Sequence, residues 1–331
     1  MTAIVVLGAG SWGTALAMQL ARNGHQVTLW GRDAGQMARM AQTRSNERYL
    51  PGVPFPEGLR LEADLVHAMS QAKLLLLAVP SHAFRDTLQQ LKPLLDPATP
   101  LAWATKGLEQ GSGKLLHQIF GEVLGARAAT VISGPTFAAE VAKGLPTAVT
   151  VASTTPTYAR LFAELLHGGT FRAYTSDDVL GVELGGACKN VLAIAAGAVD
   201  GLGYGANTRA ALITRGLAEL MRLGTTLGGQ PETFMGLAGL GDLVLTCTDD
   251  QSRNRRLGLA LGKGVALPLA LAEIGQAVEG VKSAPEIAAL ARARGVEMPI
   301  IEQVCRVLAG ECGAQEAVEA LLGRQPKAET A

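Results

Sequence analysis

Ile4-Val5-Val6-Leu7-Gly8-Ala9-Gly10-Ser11-Trp12-Gly13, close to the start of the chain, decides the fold. Four apolar residues read as a strand and run straight into a glycine turn. Behind the turn, Ala15–Arg22 has helical spacing until Asn23-Gly24 stops it, and Val27–Trp30 is a second strand. A GxGxxG pattern alone says little. Inside a strand–turn–helix–strand unit of about 30 residues it specifies a dinucleotide-phosphate site. Each glycine has a reason. Gly8 permits the tight turn, Gly10 lets a pyrophosphate approach the backbone, and Gly13 lets helix and strand pack closely. The helix N-terminus then turns its free N–H groups toward the phosphates.

Working outward, the first half keeps alternating apolar runs with helical patterns, as βαβ units with a parallel sheet do. Strands are expected at Leu74–Val79, Leu101–Ala104, Thr130–Ser133 and Ala148–Ala152, and helices at Phe84–Leu91 and Gly113–Val123. Beyond about residue 176 the strand signal stops. Helical patterns follow at Asp177–Val199, Thr208–Leu227, Arg253–Gly262, Lys282–Arg294 and Ile300–Leu308. The expected organisation is a nucleotide-type domain over residues 1–178 and a mostly α-helical domain over 179–331. Thr175-Ser176-Asp177 reads as the helix N-cap at the junction. The tail from Arg324 is polar and expected to fray.

The 331 residues are 48% apolar and 18% charged, enough to fill a sizeable core. Net charge is zero, so no basic field suggests nucleic acid. No basic stretch precedes the first strand, and no charge-free apolar run is long enough to span a membrane. The four cysteines, Cys188, Cys247, Cys305 and Cys312, form no CxxC pair and have no histidine at ligand spacing. They read as reduced thiols of a cytoplasmic protein with no metal site.

Three segments fall just past strand ends, where an open sheet presents its ligand crevice. They are Val79-Pro80-Ser81-His82, Ala104-Thr105-Lys106-Gly107 and Ser133-Gly134-Pro135-Thr136-Phe137-Ala138. Lys106 offers a cation, Gly134 close backbone approach and Thr136 a hydroxyl; His82 reads as a capping or surface residue. Lys189 is the most unusual position. It lies in Leu184-Gly185-Gly186-Ala187-Cys188-Lys189-Asn190-Val191, with no carboxylate three or four residues away. A lysine among small apolar residues loses hydration and its pKa falls, which suits proton transfer near neutrality. Cys188 beside it reads as a packing residue. Asp242, after Ala238-Gly239-Leu240-Gly241, is either a helix cap or a partner for Lys189. Ser252-Arg253-Asn254 at a helix start suits a phosphate, while Arg255 and Arg256 are expected to face solvent. After the second strand come Arg32, able to meet a 2′-phosphate, and Asp33, which favours NAD if it turns inward.

With these segments in hand, the chain resembles the bacterial NAD(P)-dependent glycerol-3-phosphate dehydrogenases over nearly its whole length. The resemblance rests on GAGSWGTALA, NERYLPGVPFP, WATKGLE, VISGPTFAAEVAKGLPTA, ELGGACKNVLAIAAG, LAGLGDLVLTCT, SRNRRLG and QAVEG, in family order. It implies a Rossmann-like N-terminal domain, a helical C-terminal domain and a homodimer. It implies that the enzyme supplies glycerol 3-phosphate for phospholipid synthesis. Implied cofactor contacts are Ser11, Trp12, Arg32, Lys106, Ala138, Arg253, Ala277 and Glu279, beside the glycines Gly8, Gly10 and Gly13. Implied substrate contacts are Lys106, Gly134, Thr136, Lys189, Asp242, Ser252, Arg253 and Asn254. Lys189 takes the place of the family's proton-transferring lysine, and Asp242 orients it. The cofactor is NADP or NAD, with NADPH favoured on balance by Arg32. The rival enzymes of this architecture are ketopantoate reductase and the nucleotide-sugar dehydrogenases, and only the latter would need a nucleophilic Cys188. A nicotinamide-sensing protein would keep the glycine loop and have no use for Lys189, Asp242 and Arg253.

Overall fold

A computed structural model describes residues 2–325. Ten strands lie in the first half. They are β1 (Ala3–Leu7), β2 (Gln26–Trp30), β3 (Ser45–Asn46), β4 (Leu50–Pro54), β5 (Leu59–Glu62), β6 (Leu74–Leu77), β7 (Leu101–Trp103), β8 (Thr130–Ser133), β9 (Thr147–Ser153) and β10 (Phe171–Ser176). Eight form one sheet in the order β10-β9-β8-β7-β6-β1-β2-β5, and β3 pairs with β4 as a separate ribbon. From β5 to β8 the sheet is parallel, but β9 pairs antiparallel to β8 and β10 follows β9. The sheet is therefore mixed, where the alternating pattern had led to a parallel one.

β1 shows why its residues are almost all apolar. Ile4 and Val6 enter the core on one face, and Val5 and Leu7 enter the core on the other. A strand covered on both faces reads as a continuous hydrophobic run. Sequence revealed neither strand of the separate ribbon; in the main sheet it missed two, β5 and β10, which lie at the edges. Their residues Leu-Arg-Leu-Glu and Phe-Arg-Ala-Tyr-Thr-Ser have exposed positions that break any such run.

The helices that frame the site are α1 (Ser11–Arg22), α2 (Val179–Gly201), α3 (Asp242–Thr248), α4 (Arg253–Gly262) and α5 (Glu279–Ala293). Asp178 caps α2, its side chain accepting from the Gly181 N–H at 2.8 Å; Asp177, the expected cap, lies one residue earlier. By length and composition α2 matches a membrane span, yet 94% of its most apolar stretch is covered by the rest of the protein. It is the core helix of the C-terminal half, with Val191, Leu192 and Ile194 in the third apolar cluster. Helices α2 and α4 approach to backbone contact. A methyl group on Gly258 would stand 1.9 Å from the Ile194 carbonyl oxygen, and one on Gly197 2.0 Å from that of Arg255. That glycine seam brings Ser252-Arg253-Asn254 close to the Lys189 helix.

Of the tail expected to fray, Arg324 pairs with Glu297 at 3.1 Å, and residues 326–331 lie outside the described residues.

Candidate active site

The substrate end is built around one carboxylate. Asp242, fully buried, is the first residue of α3, entered through a π-helical turn over Leu237–Gly241. It caps no helix with its side chain. Its Oδ1 accepts from Lys189 Nζ at 2.5 Å, and its Oδ2 accepts from Lys106 Nζ at 2.6 Å. Lys106 also donates to the Gly134 carbonyl at 3.3 Å, which accepts from the Thr136 hydroxyl at 3.1 Å. Four sequence-predicted residues thus meet through direct contacts, and Thr136 joins them through that shared carbonyl. Lys189 further donates to the Thr246 hydroxyl at 3.0 Å. Sequence reading gave Thr246 no role. The available signal was its position one helical turn after Asp242, on the same face.

Burial dominates the Lys189 ammonium and lowers its pKa to about 8; Lys106 adds to the fall while Asp242 opposes it. Asp242 is thus a counter-ion shared by two lysines. Glycines make the crowding possible. A side chain on Gly185 would come within 2.4 Å of the Ala238 carbonyl, and one on Gly186 within 2.9 Å of Ser133 Oγ and 3.4 Å of Lys106 Cγ. The pair Gly185-Gly186 is therefore what lets α2 lie against the turn before Asp242 and against the Lys106 stem.

The Ser252–Asn254 segment divides its labour. Ser252 caps α4, its hydroxyl accepting from the Arg255 N–H at 3.2 Å. Asn254 is buried. Its amide donates to Asn190 Oδ1 at 3.0 Å and accepts from the Gly280 N–H at 2.9 Å, tying α4 to α2 and α5. Arg253 reaches Gln276 at 3.2 Å, and burial lowers its pKa while Glu279 opposes the fall. Arg255 corrects the sequence reading. It is buried and pairs with Asp200 at 2.5 Å, because the glycine seam leaves it beneath α2; Arg256 is exposed. Cys188 is fully buried, and burial pushes its thiol pKa well up, the opposite of a nucleophile.

At the cofactor end, a methyl group on Gly8 would stand 2.6 Å from the Ala78 carbonyl, and one on Gly13 1.9 Å from that of Gly8. Gly10 has no atom within 4 Å of that position, so the loop is open where a phosphate would approach. Ser11 opens α1, and the buried Trp12 Nε1 has no partner in the protein. Ala138 starts a short helix over Ala138–Lys143. Past β2, Asp33 caps the next helix through the Gln36 N–H at 2.9 Å, so its carboxylate does not turn inward; Arg32 is exposed. Ala277 is exposed, and burial raises the pKa of Glu279 against Arg253, Lys282 and Ser81.

Residues 3–159 match the model for the NAD-dependent glycerol-3-phosphate dehydrogenase N-terminus, and residues 178–319 that for its C-terminus. The chain belongs to this family. It is 63% identical over 327 residues to a glycerol-3-phosphate dehydrogenase [NAD(P)+] of Thioalkalivibrio sulfidiphilus, covering 98% of each chain. It is 58% identical over 330 residues to one from Pseudoalteromonas translucida, covering 99% of this chain and 98% of the other. Among solved structures, the glycerol-3-phosphate dehydrogenase of Coxiella burnetii superposes with a TM-score of 0.94 at 50% identity, over 98% of this chain and 99% of that one. Family membership thus rests on both halves, and the lysine–aspartate bridge lies between them.

Proposed function

We propose that the chain interconverts sn-glycerol 3-phosphate and dihydroxyacetone phosphate with NADPH or NADH, and that Lys189 moves the proton. Residues 1–178 would hold the dinucleotide and residues 179–331 the substrate. The observation that carries the reading is the bridge Lys189–Asp242–Lys106, with Lys189 buried and its pKa lowered to about 8. A general acid and base near neutrality needs a pKa of that size.

The cofactor fits the residues present. Gly10 leaves an open approach, Trp12 Nε1 is an unpaired buried donor, and α1 has no acidic residue in its first turn to repel a phosphate. When bound, NAD(P)H supplies the hydride. In ketone reduction, protonated Lys189 donates to the developing alkoxide and its charge stabilises that oxygen. In the reverse direction neutral Lys189 accepts the hydroxyl proton. Asp242 and Thr246 hold its Nζ in one place. Arg253, with Ser252 and Asn254 beside it, holds the substrate phosphate, and Lys106, Gly134 and Thr136 line the carbonyl end. Ser11, Trp12, Arg32, Ala138, Ala277 and Glu279 serve the dinucleotide. Because Asp33 is spent on its helix cap, Arg32 favours NADPH. We place the enzyme in the cytoplasm as a homodimer that supplies glycerol 3-phosphate for phospholipids.

The test is an absorbance trace at the reduced-nicotinamide band. Dihydroxyacetone phosphate should be reduced readily with NADPH or NADH, and unphosphorylated dihydroxyacetone very poorly. No consumption with either cofactor, or equal rates for the two ketones, contradicts the assignment.

A further inference from the structure

We propose that His82 and Lys282 complete, with Arg32, a cationic seat for the 2′-phosphate of NADP(H), closed across the two halves of the molecule. The proposal rests on the dinucleotide reading above and adds two residues to it.

Placement comes first. β1, which leads into the glycine loop, lies between β2 and β6 in the sheet. Arg32 follows β2, and His82 sits on the short turn Ser81–Ala83 that follows β6. These two residues therefore flank the loop. Lys282 arrives from the first turn of α5, its Nζ 3.3 Å from His82 Nδ1. Gly107 lies beside the neighbours of both residues, Ser81 and Ser283. A side chain on Gly107 would stand 3.2 Å from Ser81 Oγ and 3.4 Å from Ser283 Oγ, so α5 is seated on this end of the sheet.

Charge comes second. Partial burial is the main opposition to protonation of His82, Lys282 and then Arg32 add to it, and Asp86 on the following helix is the acid that favours it. Glu279, on the same helix as Lys282, also faces Arg253. Asp33, the acid nearest Arg32 in sequence, is turned into its own helix cap. Two fixed cations and one titratable base thus meet two carboxylates, Asp86 beside His82 and Glu279 shared between Lys282 and Arg253, and all three basic side chains are exposed. Like charges held together cost free energy that a bound anion reverses. An open rim beside the second strand's end is where a ribose 2′-substituent sits in this fold. A phosphate monoester there, with its second pKa near 6, is dianionic at neutral pH.

The sign of the pH dependence follows. The free protein holds His82 below its ordinary pKa, and a phosphate dianion raises it. Binding of the 2′-phosphorylated ligand therefore takes up a proton, and its affinity falls as pH rises through neutrality. Ligands without that phosphate should show no such slope.

The experiment is calorimetric binding of 2′,5′-ADP and of 5′-ADP to the whole protein between about pH 6.5 and 8.5, above the second phosphate pKa. Lys282→Gln should weaken 2′,5′-ADP about tenfold, as loss of a charge-assisted contact does, and leave 5′-ADP nearly unchanged. His82→Gln should flatten the pH slope for 2′,5′-ADP. Equal losses for both ligands would put the cluster on the pyrophosphate and overturn the proposal, as would unchanged affinities. Both side chains are exposed, so the variants keep the fold. Binding needs no turnover. A chain that binds as described yet fails to reduce dihydroxyacetone phosphate would refute the proposed function and leave the 2′-phosphate seat standing.

Discussion

The glycine loop and the lysine–aspartate bridge are made in opposite ways, although the loop follows β1 and Lys106 follows β7 at the same end of parallel strands. The loop is six consecutive residues, Gly8 to Gly13, whose function lies in what their backbone leaves open. The bridge is side-chain chemistry gathered from far apart. Asp242 lies 53 residues from Lys189 and 136 from Lys106. The loop's task is local geometry, so local sequence encodes it. The bridge exists only after α2, the strand ends and α3 have packed, and its low lysine pKa is a property of that packing.

The largest expected effect breaks the bridge end alone. Lys189→Ala should lower kcat by at least about 10²–10⁴-fold, the range for loss of a general acid, while NAD(P)H still binds. A variant keeping half of wild-type turnover removes Lys189 from the chemistry.

Next comes Arg253, which tests how the bridge end holds a phosphate. Arg253→Ala should reduce kcat/KM for dihydroxyacetone phosphate by about 10- to 150-fold, as for loss of a charge-assisted bond, and change dihydroxyacetone little further. Arg253→Lys should be clearly impaired, since an ammonium cannot reproduce the guanidinium fork. Equal losses for the two ketones would move Arg253 to the cofactor or to the fold.

The smallest effects in turnover, and the sharpest contrast, come from one substitution made at two places in the loop. Gly10→Ala meets no protein atom within 4 Å, so thermal stability should hold while dinucleotide affinity drops. Gly13→Ala places a methyl 1.9 Å from the Gly8 carbonyl, so the loop must shift and stability should fall by about 1–3 kcal/mol. Thermal melts with and without NADPH separate the two. Equal destabilisation by both would mean that Gly10 is structural.

Much of this was legible in the chain. The buried strands showed because double coverage demands unbroken apolar runs, and Lys189 showed because a lone charge in an apolar helix is anomalous. The edge strands β5 and β10 were hidden because solvent-facing positions interrupt their pattern. The reversal at β9 left no trace, since a buried strand reads alike in either direction. Arg255 looked like a surface residue because its partner Asp200 lies 55 residues away on α2. The roles of Gly185 and Gly186 depend on what packs against them, which composition does not contain.

The most direct test of the account is the pH dependence of kcat in both directions. Lys189 must be protonated to reduce the ketone and neutral to oxidise the alcohol, and its pKa is lowered to about 8. Reduction of dihydroxyacetone phosphate should therefore fall, and oxidation of glycerol 3-phosphate should rise, as pH increases through about 8. Both limbs should be lost in Lys189→Ala. Profiles that stay flat through this range, or that bend the same way in both directions, would contradict Lys189 as the group that carries the proton.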